Sequence, residues 1–108
     1  LKQLEEILSN IRASIDTYEG MFLEDYKKLS EILRILTANL FYLESHRINA
    51  YKKWHDVYFN CKETTNAAKE RIADKKVQEL YMIRRTMHAA YKIVDGLRSQ
   101  ISIYKKEK

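Results

Sequence analysis

Between Tyr26 and Ala68 one set of positions recurs at alternating spacings of three and four. It comprises Tyr26, Leu29, Leu33, Leu36, Leu40, Leu43, Arg47, Ala50, Trp54, Val57, Cys61, Thr64 and Ala68. Only Arg47 and Thr64 place a polar side chain in the series. A repeat averaging about 3.5 residues, held for about six heptads, keeps one edge of a helix against partner helices. Arg47 on that edge must reach out to water or pair with a carboxylate such as Glu44.

A shorter run precedes it: Leu1, Leu4, Leu8, Ile11, Ile15 and Tyr18. It predicts a first helix over 1–18, ending before Gly20, which is free to take the left-handed conformation that closes a helix. The phase then slips, because Phe22 continues the first repeat while Tyr26 starts the second, and a slip beside a glycine marks a turn. Glu24 and Asp25 follow, where a helix N-terminus favours negative charge.

A third seam runs through Leu80, Ile83, Met87, Ala90, Val94, Leu97, Ile101 and Tyr104. Between the second and third seams, Thr64, Thr65 and Asn66 are the one cluster of capping residue types, and Asn66 is placed to cap a new helix. The pattern therefore predicts helices over 1–18, 22–63 and 66–106. The alternative is an unbroken central helix reaching about Asp74. With the turn at Thr64–Asn66, each long helix spans about 60 Å at 1.5 Å per residue. The fold class is all-α: a long antiparallel helical hairpin with a shorter N-terminal helix, forming one domain.

Counting around the seams leaves a second apolar set: Ile35, Phe41, Tyr42, Ile48 and Phe59 on the central helix, and Tyr81, Met82 and Ile103 on the last. A hairpin of this length cannot cover all of them, and uncovered apolar area of that extent predicts assembly into an oligomeric bundle. Gly96 falls off the seam, where it costs about 1 kcal/mol relative to alanine unless a close contact requires it.

Composition agrees with helices: the 108 residues contain no proline and only two glycines, and 32% are charged. The net charge of +5 divides unevenly, with −3 over residues 1–45 and +8 over residues 46–108. The basic later part is suited to a polyanion, although solvated helix faces would produce the same count. No apolar run reaches the roughly 20 residues of a membrane span, so a soluble, cytoplasmic protein without a membrane partner is expected. Cys61, the single cysteine, lies on the seam as a small buried side chain.

Candidate chemistry is sparse. There is no nucleophile elbow, phosphate-binding glycine loop or paired-cysteine motif. His46, His55 and His88 have no histidine three or four residues away, so no helical face pairs metal ligands. The Glu-x-x-His spacing of bundle di-metal sites is missing too, since Glu44 and His46 are two apart. No enzyme activity, cofactor, metal or small-molecule substrate is expected.

A binding surface is better supported. From Phe41 to Phe59 the aromatic residues Phe41, Tyr42, Tyr51, Trp54, Tyr58 and Phe59 alternate with His46, Arg47, Lys52, Lys53 and His55. Positive charge interleaved with aromatic faces is the chemistry that holds single-stranded nucleic acid. Arg84, Arg85, His88 and Lys92 add a basic stripe on the last helix, and Lys105, Lys106 and Lys108 add a basic tail. Trp54, being on the seam, reads as core, and Tyr51 and Tyr58 flank it.

The order of these features resembles the small phage recombination mediators of the UvsY type. The similar parts are a basic helix with Arg47, Lys52 and Lys53 closing on the aromatic pair Tyr58-Phe59, and a helical end running from Leu97 to Lys105. The chain differs in carrying Asn60-Cys61 where that pattern has glycine. The resemblance implies a ring-forming helical protein that binds single-stranded DNA and helps load a recombinase, with Arg47, Lys52, Lys53 and Tyr58 on the DNA. Arg84, Arg85 and Lys92 join that candidate set from the stripe on the last helix. The competing expectation is a structural or protein-binding coiled-coil module, such as a virion component, chaperone or inhibitor, whose charges serve solubility alone.

Overall fold

The computed structural model describes residues 3–20 and 26–106. Among them are four α-helices and no strand: α1 (Leu4–Glu19), α2 (Tyr26–Asn60), α3 (Asn66–Lys76) and α4 (Gln78–Lys106). The expected roles of Phe22, Glu24 and Asp25 fall outside the described residues. The chain forms an elongated hairpin of 62 × 26 × 20 Å, with α2 as one arm and α3 plus α4 as the other.

The seam of α2 is the floor of the core. Leu29, Leu36 and Leu43 have no exposed surface, and Ile32, Leu40 and Ala50 are buried beside them. From the other arm Leu80, Ile83, Ala90, Val94 and Leu97 meet this line, while Ile7, Leu8 and Ile11 of α1 close it from the side. Burying each of these leucine, isoleucine and valine side chains is worth about 1.5–3 kcal/mol. Helix α1 packs on α2 and α4 and does not touch α3. The bundle is thus three helices thick at one end, and only two arms reach the hairpin tip. Trp54 and Val57, expected in the seam, are half-buried and pack on the core's margin.

Register between α1 and α2 is fixed by a polar pair. Asn10 Nδ2 donates to Asn39 Oδ1 at 3.2 Å, and Asn39 Nδ2 donates to the Ile35 carbonyl at 2.8 Å. Asn39 is buried, so its amide must find partners in the protein, and a shifted α1 would strand it.

The expected boundaries need four corrections. Gly20 does not turn left-handed; its φ is −87°, and its N–H still donates to the Asp16 carbonyl at 3.1 Å, prolonging helical geometry one residue past α1. Helix α2 ends at Asn60 rather than near residue 63, its last turn tightening as Cys61 N–H reaches the Tyr58 carbonyl. The cap of α3 is Thr65, not Asn66: its backbone is extended and its hydroxyl accepts from Ala68 N–H at 3.2 Å. The second arm is not one helix over 66–106, because Val77 (φ −121°, ψ 62°) interrupts it.

That interruption has a cause in the spacing of the buried residues. Ala73, Val77, Leu80, Ile83 and Met87 are all buried, and their intervals run four, three, three, four. Two threes in succession overwind a continuous seam. Breaking at Val77 absorbs the phase error while its N–H still reaches the Ala73 carbonyl at 2.9 Å. Lys75 and Lys76 end α3 and Glu79 opens α4, each with the charge its terminus favours.

Candidate nucleic-acid interface

One side of α2 presents Arg47, Tyr51, Trp54 and Tyr58 at spacings of four, three and four, so they form a line beside the groove facing the second arm. The rings of Tyr51 and Trp54 lie 6.4 Å apart and 10° from parallel; those of Trp54 and Tyr58 lie 5.3 Å apart and 15° from parallel. This ladder is pinned from α3. Trp54 Nε1 donates to Asp74 Oδ1 at 2.7 Å, and the Tyr58 hydroxyl donates to Asn66 Oδ1 at 3.1 Å.

Both ends of the ladder carry a cation. The Arg84 guanidinium sits 5.5 Å from the Tyr51 ring centroid, and Lys69 Nζ sits 5.7 Å from that of Tyr58. Such contacts are worth about 0.5–1 kcal/mol at exposed sites. The interior faces are turned toward one another, so an incoming base would stack by displacing Arg84 or Lys69, or by a side-chain rotation. A second aromatic pair, His55 and Phe59, stacks on the outer side at 5.5 Å and 13°.

Arg47 donates through Nε and Nη2 to one oxygen of Glu44, the Nε bond measuring 3.0 Å. The bond holds the Glu44 carboxyl below its usual range and raises the already high pKa of Arg47, to which the nearby Tyr51 and Tyr91 add. The seam arginine therefore takes the second of its expected solutions, a carboxylate partner, and sits half-exposed beside two tyrosines.

The predicted site residues do not form one patch. Arg47, Tyr58 and Arg84 come together along the α2 groove, with Tyr51. Lys52 and Lys53 are exposed and step away around α2, each residue turning about 100°. Lys53 lies seven residues from His46 and fourteen from Asn39, so it prolongs the strip that α1 occupies further up. On α4, Arg84 and Tyr91 share one strip, and Arg85 and Lys92 share the next one outward. Among the described residues, none of Lys52, Lys53, Arg84, Arg85 and Lys92 makes an ion pair.

Lys69, Asn66 and Asp74 belong to the site and escaped the sequence reading. A fold-back about a turn at 61–65 brings the start of α3 near the end of α2, but it does not single out Lys69 or Asp74, because the exact partners depend on how α3 docks. No group of three or more His, Cys, Asp or Glu side chains among the described residues could hold a metal ion. Among the described residues, no helix is long and apolar enough to cross a membrane.

The fold defines a class, the antiparallel helical hairpin bundle. No protein-family model, curated protein or solved structure matches the chain.

Proposed function

We propose that this protein is a non-enzymatic, self-associating helical module that binds single-stranded nucleic acid along the α2 groove. Its specific form would be a recombination mediator of the UvsY type, working in the host cytoplasm and passing strands to a recombinase. The observation that carries the reading is Arg84 over Tyr51, with Arg47 a turn away on the same line. When an incoming base displaces Arg84 from the Tyr51 face, the ring stacks the base while the freed guanidinium takes its phosphate. Lys52, Lys53, Arg85 and Lys92 supply phosphate contacts as a strand leaves the groove.

The test is anisotropy of a labelled single-stranded oligonucleotide across a salt series. The logarithm of affinity should fall linearly with the logarithm of salt concentration, by about 0.7 per phosphate neutralised. Reversing Arg84, or Lys52 and Lys53 together, should weaken binding while leaving helicity unchanged. No retention of the oligonucleotide at about 50 mM salt would exclude this function.

A second reading rests on a different observation. Phe41 and Phe59 are 73% and 71% exposed, and Ile48 is exposed between them. Phe41, Ile48 and His55 recur every seven residues, the spacing of a seam that another helix covers. This stripe supports self-association, and it equally supports a structural or protein-binding coiled-coil module with no nucleic-acid role. Sedimentation separates the cases: both give an assembly, but only the first changes mass when oligonucleotide is added. A stable monomer at micromolar concentration with Phe41 and Ile48 intact would remove self-association from either.

A further inference from the structure

We infer that the groove between α1 and α4 is a docking site for an acidic peptide carrying an apolar anchor. It lies on a different strip of α4 from the Arg84–Tyr51 line; the two readings share only Arg85, and neither needs the other to hold. Its lining includes Arg12 and Ile15 of α1 and Tyr81, Met82, Arg85 and Ala89 of α4. The apolar members are unusually open for a bundle: Tyr81 is 68% exposed and Met82 48%. Both arginines are exposed, and neither pairs with a carboxylate of the described residues. Asp16, one turn from Arg12, leaves that guanidinium unengaged.

The occupant follows from charge complementarity. Two guanidiniums beside an apolar floor of Ile15, Met82 and Ala89 offer forked donors to carboxylates and a slot for a hydrophobic side chain between them. Tyr81 supplies a large, stiff contact surface of the type enriched at binding hot spots. A bare phosphate backbone would use the arginines but leave the apolar floor wet, whereas an acidic peptide with a Leu or Phe anchor uses both. Methionine at the floor adapts to different anchors, because its unbranched thioether side chain repacks at low cost.

The experiment uses the full chain and a labelled 12-residue peptide in which Glu and Asp alternate with Leu and Phe. Anisotropy should show saturable binding at about 50 mM salt, a concentration at which screening leaves rim charges effective. Arg12→Glu with Arg85→Glu should weaken it at least tenfold. Tyr81→Ala should weaken it several-fold, and a peptide with alanine at every anchor should bind no better than the reversed variant. Arg12→Gln with Arg85→Gln, checked for unchanged helicity, controls for folding and should also lose binding. Failure of the peptide to bind, or binding indifferent to the arginines, would overturn the assignment. So would a groove variant that loses oligonucleotide while keeping peptide, which would make this face a phosphate surface. Loss of oligonucleotide binding on Arg84→Glu with peptide binding intact is the expected separation of the two sites.

Discussion

Trp54 Nε1 donates to Asp74 Oδ1 at 2.7 Å, joining α2 to α3 across the tip of the hairpin. Apolar burial on α3 is slight, since only Ala73 among its residues is fully buried, so this bond, the Tyr58–Asn66 bond and the Lys69–Tyr58 contact carry a large share of its docking. A hydrogen bond to a charged group contributes about 1.5–3 kcal/mol, less where water competes, as it does at this exposed tip. Trp54→Phe keeps the ring contacts with Tyr51 and Tyr58 but removes the donor. It should lower stability by about 1 kcal/mol in urea unfolding followed by circular dichroism. Asp74→Asn retains an accepting oxygen and should cost less than Asp74→Ala. Equal losses in those two variants would show that the bond contributes nothing beyond packing.

The Asn10–Asn39 pair sets the register of α1 at some expense in stability. Replacing Asn10 by alanine leaves the buried Asn39 oxygen without its partner, and an unsatisfied group of this kind costs about 1–3 kcal/mol. The double change Asn10→Leu and Asn39→Leu should recover that loss, because apolar side chains need no partners. Its penalty should be in uniqueness, since a polar seam pair specifies alignment. Broadened amide resonances from α1 in the double variant, with raised thermal stability, are the expected result. Sharp resonances at raised stability would remove the register role.

The long seams were legible because a heptad repeat is written into one sequence with no need of its partner. Leu29, Leu36 and Leu43 could be assigned to a buried edge before any coordinates, and they are buried. The break at Val77 was less visible, because neither glycine nor proline marks it and its cause is a phase error between two good seams. The site was legible in its residue types but not in its grouping. Arg84 and Arg85 are adjacent in sequence, yet one lies over Tyr51 and the other faces α1. A helix separates neighbours by about 100°, and which strip meets which partner depends on how the helices dock.

Gly96 tests a contact that the sequence left open. A Cβ built there would stand 3.3 Å from the Tyr18 hydroxyl and meet no other neighbour. That is tight, but the obstacle is the end of a side chain, which can yield by a few tenths of an ångström. Alanine in a helix interior gains about 1 kcal/mol over glycine. Gly96→Ala should therefore stabilise the protein by somewhat less than 1 kcal/mol, seen as a raised midpoint in urea. A bulkier Gly96→Leu should reverse the sign by pushing Tyr18 off α4. Destabilisation by alanine itself would mean that Tyr18 cannot move.

Glu44 restrains Arg47, the second arginine on the proposed strand path. The Arg47 hydrogen bonds depress the Glu44 pKa, so the pair's contribution to stability is full above the unfolded carboxylate pKa and is lost as pH falls through the lower folded value. Both side chains are about a third or more exposed, so solvent screens the pair and its contribution to stability is small. Glu44→Gln should thus change stability little. Its effect on binding should be larger, because a guanidinium released from its carboxylate is free for a phosphate. Oligonucleotide affinity should rise several-fold, and the salt slope should steepen by about 0.7, the increment for one additional phosphate on a single strand. Arg47→Gln on the same background should cancel both gains. If Glu44→Gln leaves the slope unchanged, Arg47 is a structural residue of the seam and the strand path runs elsewhere.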